Sequence, residues 1–343
     1  MITTLSRVTA NRLQSRHRWI NVLSILCLLV IAIFSITLIL GQSYTPPADV
    51  LNVLLGKNVP GASFTVGHLR LPRAVISILV GMSFGMAGVA FQIMLRNPLA
   101  SPDIIGVSSG ATAAAVFAII TLSLDGTSVA FFSIIMGLAV AITVYGLSYR
   151  NGVTGTRLIL VGIGVSAMLE SFIAYLLSQA STWDLQEAMR WLTGSMNSAQ
   201  LDQAYPLLIS LLVFGSALLS RTKDIEALRL GDDTAQSLGV RVGFTRLTVI
   251  ISAVGLIAVA VAITGPIAFV AFLSGPIAMR LIKNSGSLLI PAGLVGACLV
   301  LAGDYIGQFM LPSRYPVGVI TGALGAPYLI YLIIRVNNKG SSL

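Results

Sequence analysis

The sequence predicts an all-α membrane protein of about ten transmembrane helices, and three observations predict it. Of 343 residues, 56% are hydrophobic and only 10% are charged. Mean hydropathy is +0.91. A soluble domain carries about 25% charged residues, so this chain cannot cover itself with a water-facing surface. Its apolar residues fall in long runs near the roughly 20 residues that cross a bilayer core, not in the alternating pattern of a barrel.

The first run, 19–41, follows Arg12, Arg16 and Arg18. It is too long for a signal peptide and no small-x-small cleavage pattern follows it, so a retained first helix is expected. Further spans are expected at 74–95, 104–124, 127–147, 157–180, 203–220, 247–264, 265–282, 288–306 and 316–335. The seventh and eighth are nearly continuous. As one helix they would measure about 54 Å, against a core of about 30 Å. Thr264-Gly265-Pro266 is where the chain can break, because proline removes a donor and glycine permits a turn. The expected organisation is a cytoplasmic tail 1–18, one membrane domain 19–335 with a long loop at about 221–246, and a cytoplasmic tail 336–343.

Basic residues set the orientation. With the N-terminus in the cytoplasm and ten alternating spans, Lys57, Arg70, Arg73, Arg190 and Arg314 face outward, and the other sixteen of the 21 basic residues face inward. The positive-inside rule favours that arrangement and places both termini in the cytoplasm. The net charge of +9 therefore reflects topology. Nucleic-acid binding is a poor reading, since the charges are spread over separate loops. Cys27 and Cys298 lie inside apolar runs and read as packing residues.

Several chemistries lack their residues. There is no G-x-x-x-x-G-K-[ST] loop for ATP. His17 and His68 are the only histidines, and no ligand cluster surrounds them, so no metal site and no catalytic residue is expected. Glu170 and Asp304 are the intramembrane acids, thin support for a proton- or sodium-coupled carrier.

Four segments carry specific signal. His68-Leu69-Arg70-Leu71-Pro72-Arg73 puts two arginines at an outer mouth, where guanidinium groups suit carboxylates or anchor to headgroups. In Gln92 to Gly106, Pro98 and Pro102 break the chain between spans, and Gly81, Gly85 and Gly88 precede it at helical spacing. In the loop Leu228 to Val240, Asp232 or Asp233 can cap a short helix that Gly239 closes. Such a helix reads equally as a docking element or an ordinary surface helix. Tyr315 to Tyr328 opens the last span with Gly318, Gly322 and Gly325.

Together RLPR, RNPLASPDIIG, LGDDTAQSLGV and PVGVITGALGAP resemble the FecCD family of ATP-binding-cassette importer permeases, which move iron–siderophore complexes, haem and vitamin B12. The resemblance runs from about residue 30 to 335. It implies a type II ABC importer permease bundle in the bacterial cytoplasmic membrane, paired with a second permease subunit, a heterodimer being favoured. It also implies two cytoplasmic ATPase subunits, which hold the ATP and magnesium, and an extracytoplasmic siderophore-binding protein. By position, Arg70, Arg73 and Arg314 match residues that dock the binding protein. Gly231, Asp232, Asp233, Thr234, Leu238 and Gly239 match the helix that couples to the ATPase. Ser166, Met168, Glu170 and Ile173 match the helix lining the pathway. One departure stands out: Gly275-Pro276 replaces the family's Pro-His after the eighth apolar run.

Iron(III) prefers hard oxygen ligands, and the chain offers no cluster of them, so iron would move inside its chelator. An electropositive mouth would attract an anionic ferric catecholate, whereas Glu170 argues the other way. A haem or vitamin B12 permease of the same family, and a secondary transporter driven by an ion gradient, remain as alternatives.

Overall fold

The computed structural model describes residues 2–149, 155–283 and 285–340. Arg150, counted above on the cytoplasmic side, and residues 341–343 of the expected C-terminal tail lie outside them, as do the side chains of Arg7, Arg335 and Lys339.

The described chain is helical. It begins with α1 (Ile2–Ile39), α2 (Pro47–Leu54), α3 (Ser63–Leu95, its first eight residues in a wide π-type turn) and α4 (Val107–Ile120). Then come α5 (Gly126–Ser148), α6 (Gly155–Gln179), α7 (Thr182–Leu192) and α8 (Leu201–Ser220). The short helices α9 (Thr222–Leu228) and α10 (Asp232–Ser237) follow. The chain closes with α11 (Val242–Thr264), α12 (Val270–Ile282), α13 (Leu289–Met310) and α14 (Val317–Gly340). Seven of these are long and apolar enough to cross a membrane, and α4, α12 and the Val317–Tyr331 part of α14 supply three shorter apolar stretches. That is the expected bundle of about ten. One face holds the ends of α1 and α14 and the α9–α10 loop, and is called the terminal face below; α2 and α7 lie at the opposite face.

The first helix starts at Ile2, well before the apolar run, because no proline or glycine interrupts 2–39. The helices α4 and α12 measure only about 21 and 20 Å at 1.5 Å per residue. Irregular backbone at 96–101, a 3-10 turn at Pro102–Ile105 and the irregular segment 265–269 complete the crossings, and they are tolerated because they run inside protein, with Ala100, Ile105 and Ile267 buried. The break at Thr264-Gly265 is therefore a five-residue segment, wider than the tight hairpin expected. Gly265 enters it at φ +71°, and Phe269 ends it in the left-handed region.

The bundle is built around α3, which packs against α11, α12 and α13. Over its most apolar stretch α3 is 78% buried, against 17% for α6, so α3 is central and α6 peripheral. The glycines of α3 explain its close contacts. A Cβ on Gly85 would lie 2.2 Å from the Ala292 carbonyl oxygen, and one on Gly88 would lie 1.9 Å from that of Ala271. The stripe is a packing seam.

The Gly275-Pro276 departure finds its reason here. Pro276 sits inside α12 and has no N–H, so the carbonyl of Phe272, one turn earlier, has no helical donor. Gln92 of α3 donates to it through Nε2 at 3.0 Å, and is itself buried. A Cβ on residue 275 would fall 1.9 Å from Gln92 Oε1, so glycine is needed to admit the side chain. Removing the amide by Gln92→Leu should destabilise the purified permease by about 1–3 kcal/mol, the cost of an orphaned buried acceptor. The check is a lowered midpoint in detergent thermal unfolding; an unchanged midpoint would remove the bond's importance.

Candidate functional site

At the opposite face a depression of about 680 Å³ is lined by His68, Arg70, Arg73, Asn197, Gln308 and Arg314, among others. The three arginines expected there are brought together, yet they differ in environment. Arg70 is buried and its donors are occupied. Its Nη1 donates to the carbonyls of Leu38 at 2.8 Å and Ile39 at 3.2 Å and to Thr45 Oγ1, and its Nη2 donates to the Ser43 carbonyl at 2.7 Å. These are carbonyls at and just beyond the end of α1, which no helical N–H reaches. Arg70 therefore ties the loop after α1 to α3 instead of offering a free fork at the surface.

Arg73 grips Asp304 from two sides, Nε to Oδ2 at 3.1 Å and Nη2 to Oδ1 at 2.6 Å. Its Nη1 donates to Asn197 Oδ1 at 3.0 Å, and Gln308 Nε2 reaches the same oxygen at 3.2 Å. The Asp304 side chain is only 3% exposed. Arg314 is exposed and makes no hydrogen bond or ion pair with any described residue. The lining carries three arginines, and only Arg73 is paired with a carboxylate, that of Asp304, so the depression remains cationic.

Beside it, sharing Asn197, lies a second cavity of about 650 Å³ lined by Trp183, Asp184, Glu187, Arg190, Trp191 and Thr264. Sequence reading passed over its helix, α7. A local cue existed: Ser181 caps α7, its Oγ accepting the Asp184 N–H at 3.3 Å and donating to the Asp184 carboxylate at 2.7 Å. Trp183 on this helix is 83% exposed.

The four residues expected along the pathway differ in environment: Ser166 and Ile173 lie on one face of α6 with Glu170 at its edge, and Met168 projects from the other side. Ile173 is buried in a cluster with Ala113, Val116 and Leu176. Ser166 Oγ is buried beside Gly106. A spacing of seven residues puts this pair on one face, turned into the chain's own bundle. Met168 and Glu170 are exposed, and Glu170 has no ion-pair partner among the described residues.

On the terminal face α10 forms as expected, closed by Gly239 at φ +85° with its N–H on the Gln236 carbonyl at 2.8 Å. Neither aspartate caps it: the N-cap is Gly231, at φ +105°. Asp232 instead accepts from Arg246 Nη2 at 2.8 and 3.0 Å and from Arg96 Nη2 at 3.4 Å. Leu230 and Leu238 flank α10 at 62% and 64% exposure. The turn before α4 explains much of RNPLASPDIIG: Asn97 Oδ1 accepts the Leu99 N–H, Ser101 Oγ donates to Asp103 Oδ2 at 3.0 Å, and Ser108 also holds Asp103. Among the described residues no group of His, Cys, Asp and Glu could hold a metal ion.

A polytopic helical bundle with a cationic depression on one face and a short capped helix presenting apolar side chains on the other defines a membrane permease. The chain belongs to the FecCD transport family, whose model matches residues 27–335. It is 36% identical over 296 residues to the ferric enterobactin transport system permease protein FepG of Escherichia coli (strain K12), covering 85% of this chain and 89% of that one. It is also 36% identical over 316 residues to the achromobactin transport system permease protein CbrC of Dickeya dadantii (strain 3937), covering 91% and 90%. A solved inward-facing structure of a metal-chelate type ABC transporter superposes with a TM-score of 0.83 at 27% identity, covering 92% of this chain and 99% of that one. The protein is thus a multi-pass inner-membrane permease subunit of the ABC importer type.

The Arg73–Asp304 pair generates a stability prediction. Arg73→Ala should cost about 3–5 kcal/mol, because it leaves a buried carboxylate unpaired. Adding Asp304→Asn should recover part of that loss, which chemical denaturation of the two variants would measure.

Proposed function

We propose that this chain is one of two permease subunits of an importer that moves ferric siderophores, powered by ATP hydrolysis on separate cytoplasmic subunits. The terminal face is the cytoplasmic one, supported by sixteen of the 21 basic residues falling there under the ten-span topology. The observation that carries the energy source is the pair Leu230 and Leu238, exposed beside a six-residue helix in the charged α9–α10 loop. Large apolar side chains that face water on both flanks of one rigid turn suit a groove on a soluble partner. ATP and magnesium belong to that partner.

At the outer face the cationic depression suits a binding protein that presents carboxylates. Arg314 is the side chain free to meet them, with Arg73 at its edge, while Arg70 supports the surface from below. A catecholate-type ferric chelate is the narrower cargo reading. It is supported by the relative named for ferric enterobactin and by the sign of the depression's charge. Of the matched α6 residues, Met168 and Glu170 are the exposed ones, on different sides of the helix, and so are those open to a pathway or to the second permease subunit.

In vesicles, the permease pair with its ATPase subunits and loaded binding protein should accumulate ferric tris-catecholate only with ATP, and vanadate should stop it. Gradient-driven uptake by the permease alone would overturn the reading. Leu230→Asp with Leu238→Asp should lower copurification of the ATPase subunits by about tenfold, the scale of an interface hot spot. Arg314→Glu should weaken binding-protein docking, most strongly at low salt, where like charges are least screened. Normal docking at low salt would count against Arg314.

A further inference from the structure

We infer that Asp232 is a positioning residue, pinning the ATPase-docking helix to the cytoplasmic ends of two central spans so that movement of α10 is passed into α3 and α11. The inference rests on the importer reading above. Apolar contacts, ion pairs and one cation–π contact hold the α9–α10 loop to the bundle. Ile225, Leu228 and Ala235 are buried in the main apolar core and bring α9 and α10 against their neighbours. Such contacts are non-directional and allow sliding. The ion pairs are directional. Arg221 with Asp224 and Arg229 with Glu226 are three residues apart, at α9 and its immediate flanks, and stiffen the loop; Arg221 also lies over the Phe244 ring of α11, 4.8 Å from its centroid, which holds α9 but not α10. Asp232 reaches outward, with both oxygens on Arg246 near the start of α11 and one on Arg96 at the end of α3.

Local backbone serves this arrangement. Arg96 is the C-cap of α3 in the left-handed region, at φ 52°, which non-glycine residues rarely adopt. Gly231, immediately before Asp232, takes φ +105°, and a Cβ there would lie 3.4 Å from Arg96 Nη1. A side chain at 231 would be strained by that backbone conformation, while its Cβ would only touch the guanidinium. The residues Arg96, Gly231, Asp232 and Arg246 form one junction between the loop and two spans. Removing the carboxylate leaves two guanidinium groups that repel each other, while the apolar hold is untouched.

The test uses the reconstituted complex of the permease pair, the ATPase subunits and the binding protein loaded with ferric siderophore. Its readout is the ratio of cargo-stimulated to unstimulated ATP hydrolysis, beside copurification of the ATPase subunits. Asp232→Asn should lower that ratio by about tenfold, within the usual range of coupling energies, with the ATPase subunits still copurifying in wild-type amount. Asp232→Glu, which keeps the carboxylate, should restore most of the ratio. A wild-type ratio in Asp232→Asn overturns the pin, as does a parallel loss of copurification, which would mark a merely structural role. A wild-type complex showing no cargo stimulation would sink the importer reading itself, and is read before either variant.

Discussion

A bundle with no water at its centre must satisfy every backbone carbonyl from within, and this requirement shapes the molecule more than its apolar contacts do. Lipid and core are equally apolar, so burying leucine against leucine selects little. An unmet carbonyl is different: it costs about 1–3 kcal/mol and has a direction. Pro276 creates one at Phe272, and Gln92 meets it. The end of α1 leaves another at Leu38, and Arg70 meets it, adding a second bond to the Ile39 carbonyl that the Thr45 N–H also reaches. Both donors come from α3, which explains why that helix is the most buried of the long spans and why small residues line its seams.

The same helix links the two functional faces. At one end it carries Arg70 and Arg73, which build the cationic depression; at the other, Gln92 locks it to α12 and Arg96 joins it to the α9–α10 loop. A rod of 33 residues spans about 50 Å, more than the bilayer core, so both ends emerge where soluble partners can reach. Close backbone contact with α13 and α12 makes α3 stiff against bending. Under the proposed coupling, α3 is the element that joins Arg96 to Arg73 without intermediate contacts.

The number of spans, the break at Gly265 and the short helix closed by Gly239 could be read in the sequence, because run length, proline, and glycine at positive φ act locally. The roles of Arg70 and Asp232 could not. Both residue types advertise a free charge, and what uses that charge lies far along the chain: Leu38 and Thr45 for Arg70, Arg96 and Arg246 for Asp232. The division of α6 was only partly legible: spacing groups Ser166 and Ile173 and sets Met168 apart, but it also groups Glu170 with the buried pair, although Glu170 is exposed. Choosing which face turns inward required knowing what packs there. The Gly275-Pro276 departure looked like the loss of a histidine, and becomes intelligible only with Gln92 beside it.

Glu170 shows what a single chain leaves unfinished. It is the sixteenth residue of the 25 in α6, so it lies about 22 Å from one end of the helix and 14 Å from the other, at a depth where lipid would surround it. A charged carboxylate at that depth costs about 2.5–3.5 kcal/mol even on lenient insertion scales. Arg73 with Asp304 shows how this protein treats an acid it buries: it surrounds it with donors. Nothing comparable faces Glu170 among the described residues, and the surface around it, with Gly164, Ala167 and Ser171 also exposed, is small enough for another helix or a polar passage to approach. The exposed face of α6 is thus better suited to a second subunit or to water than to hydrocarbon, and the permease reading requires both: a partner to complete the wall and an aqueous path between the two.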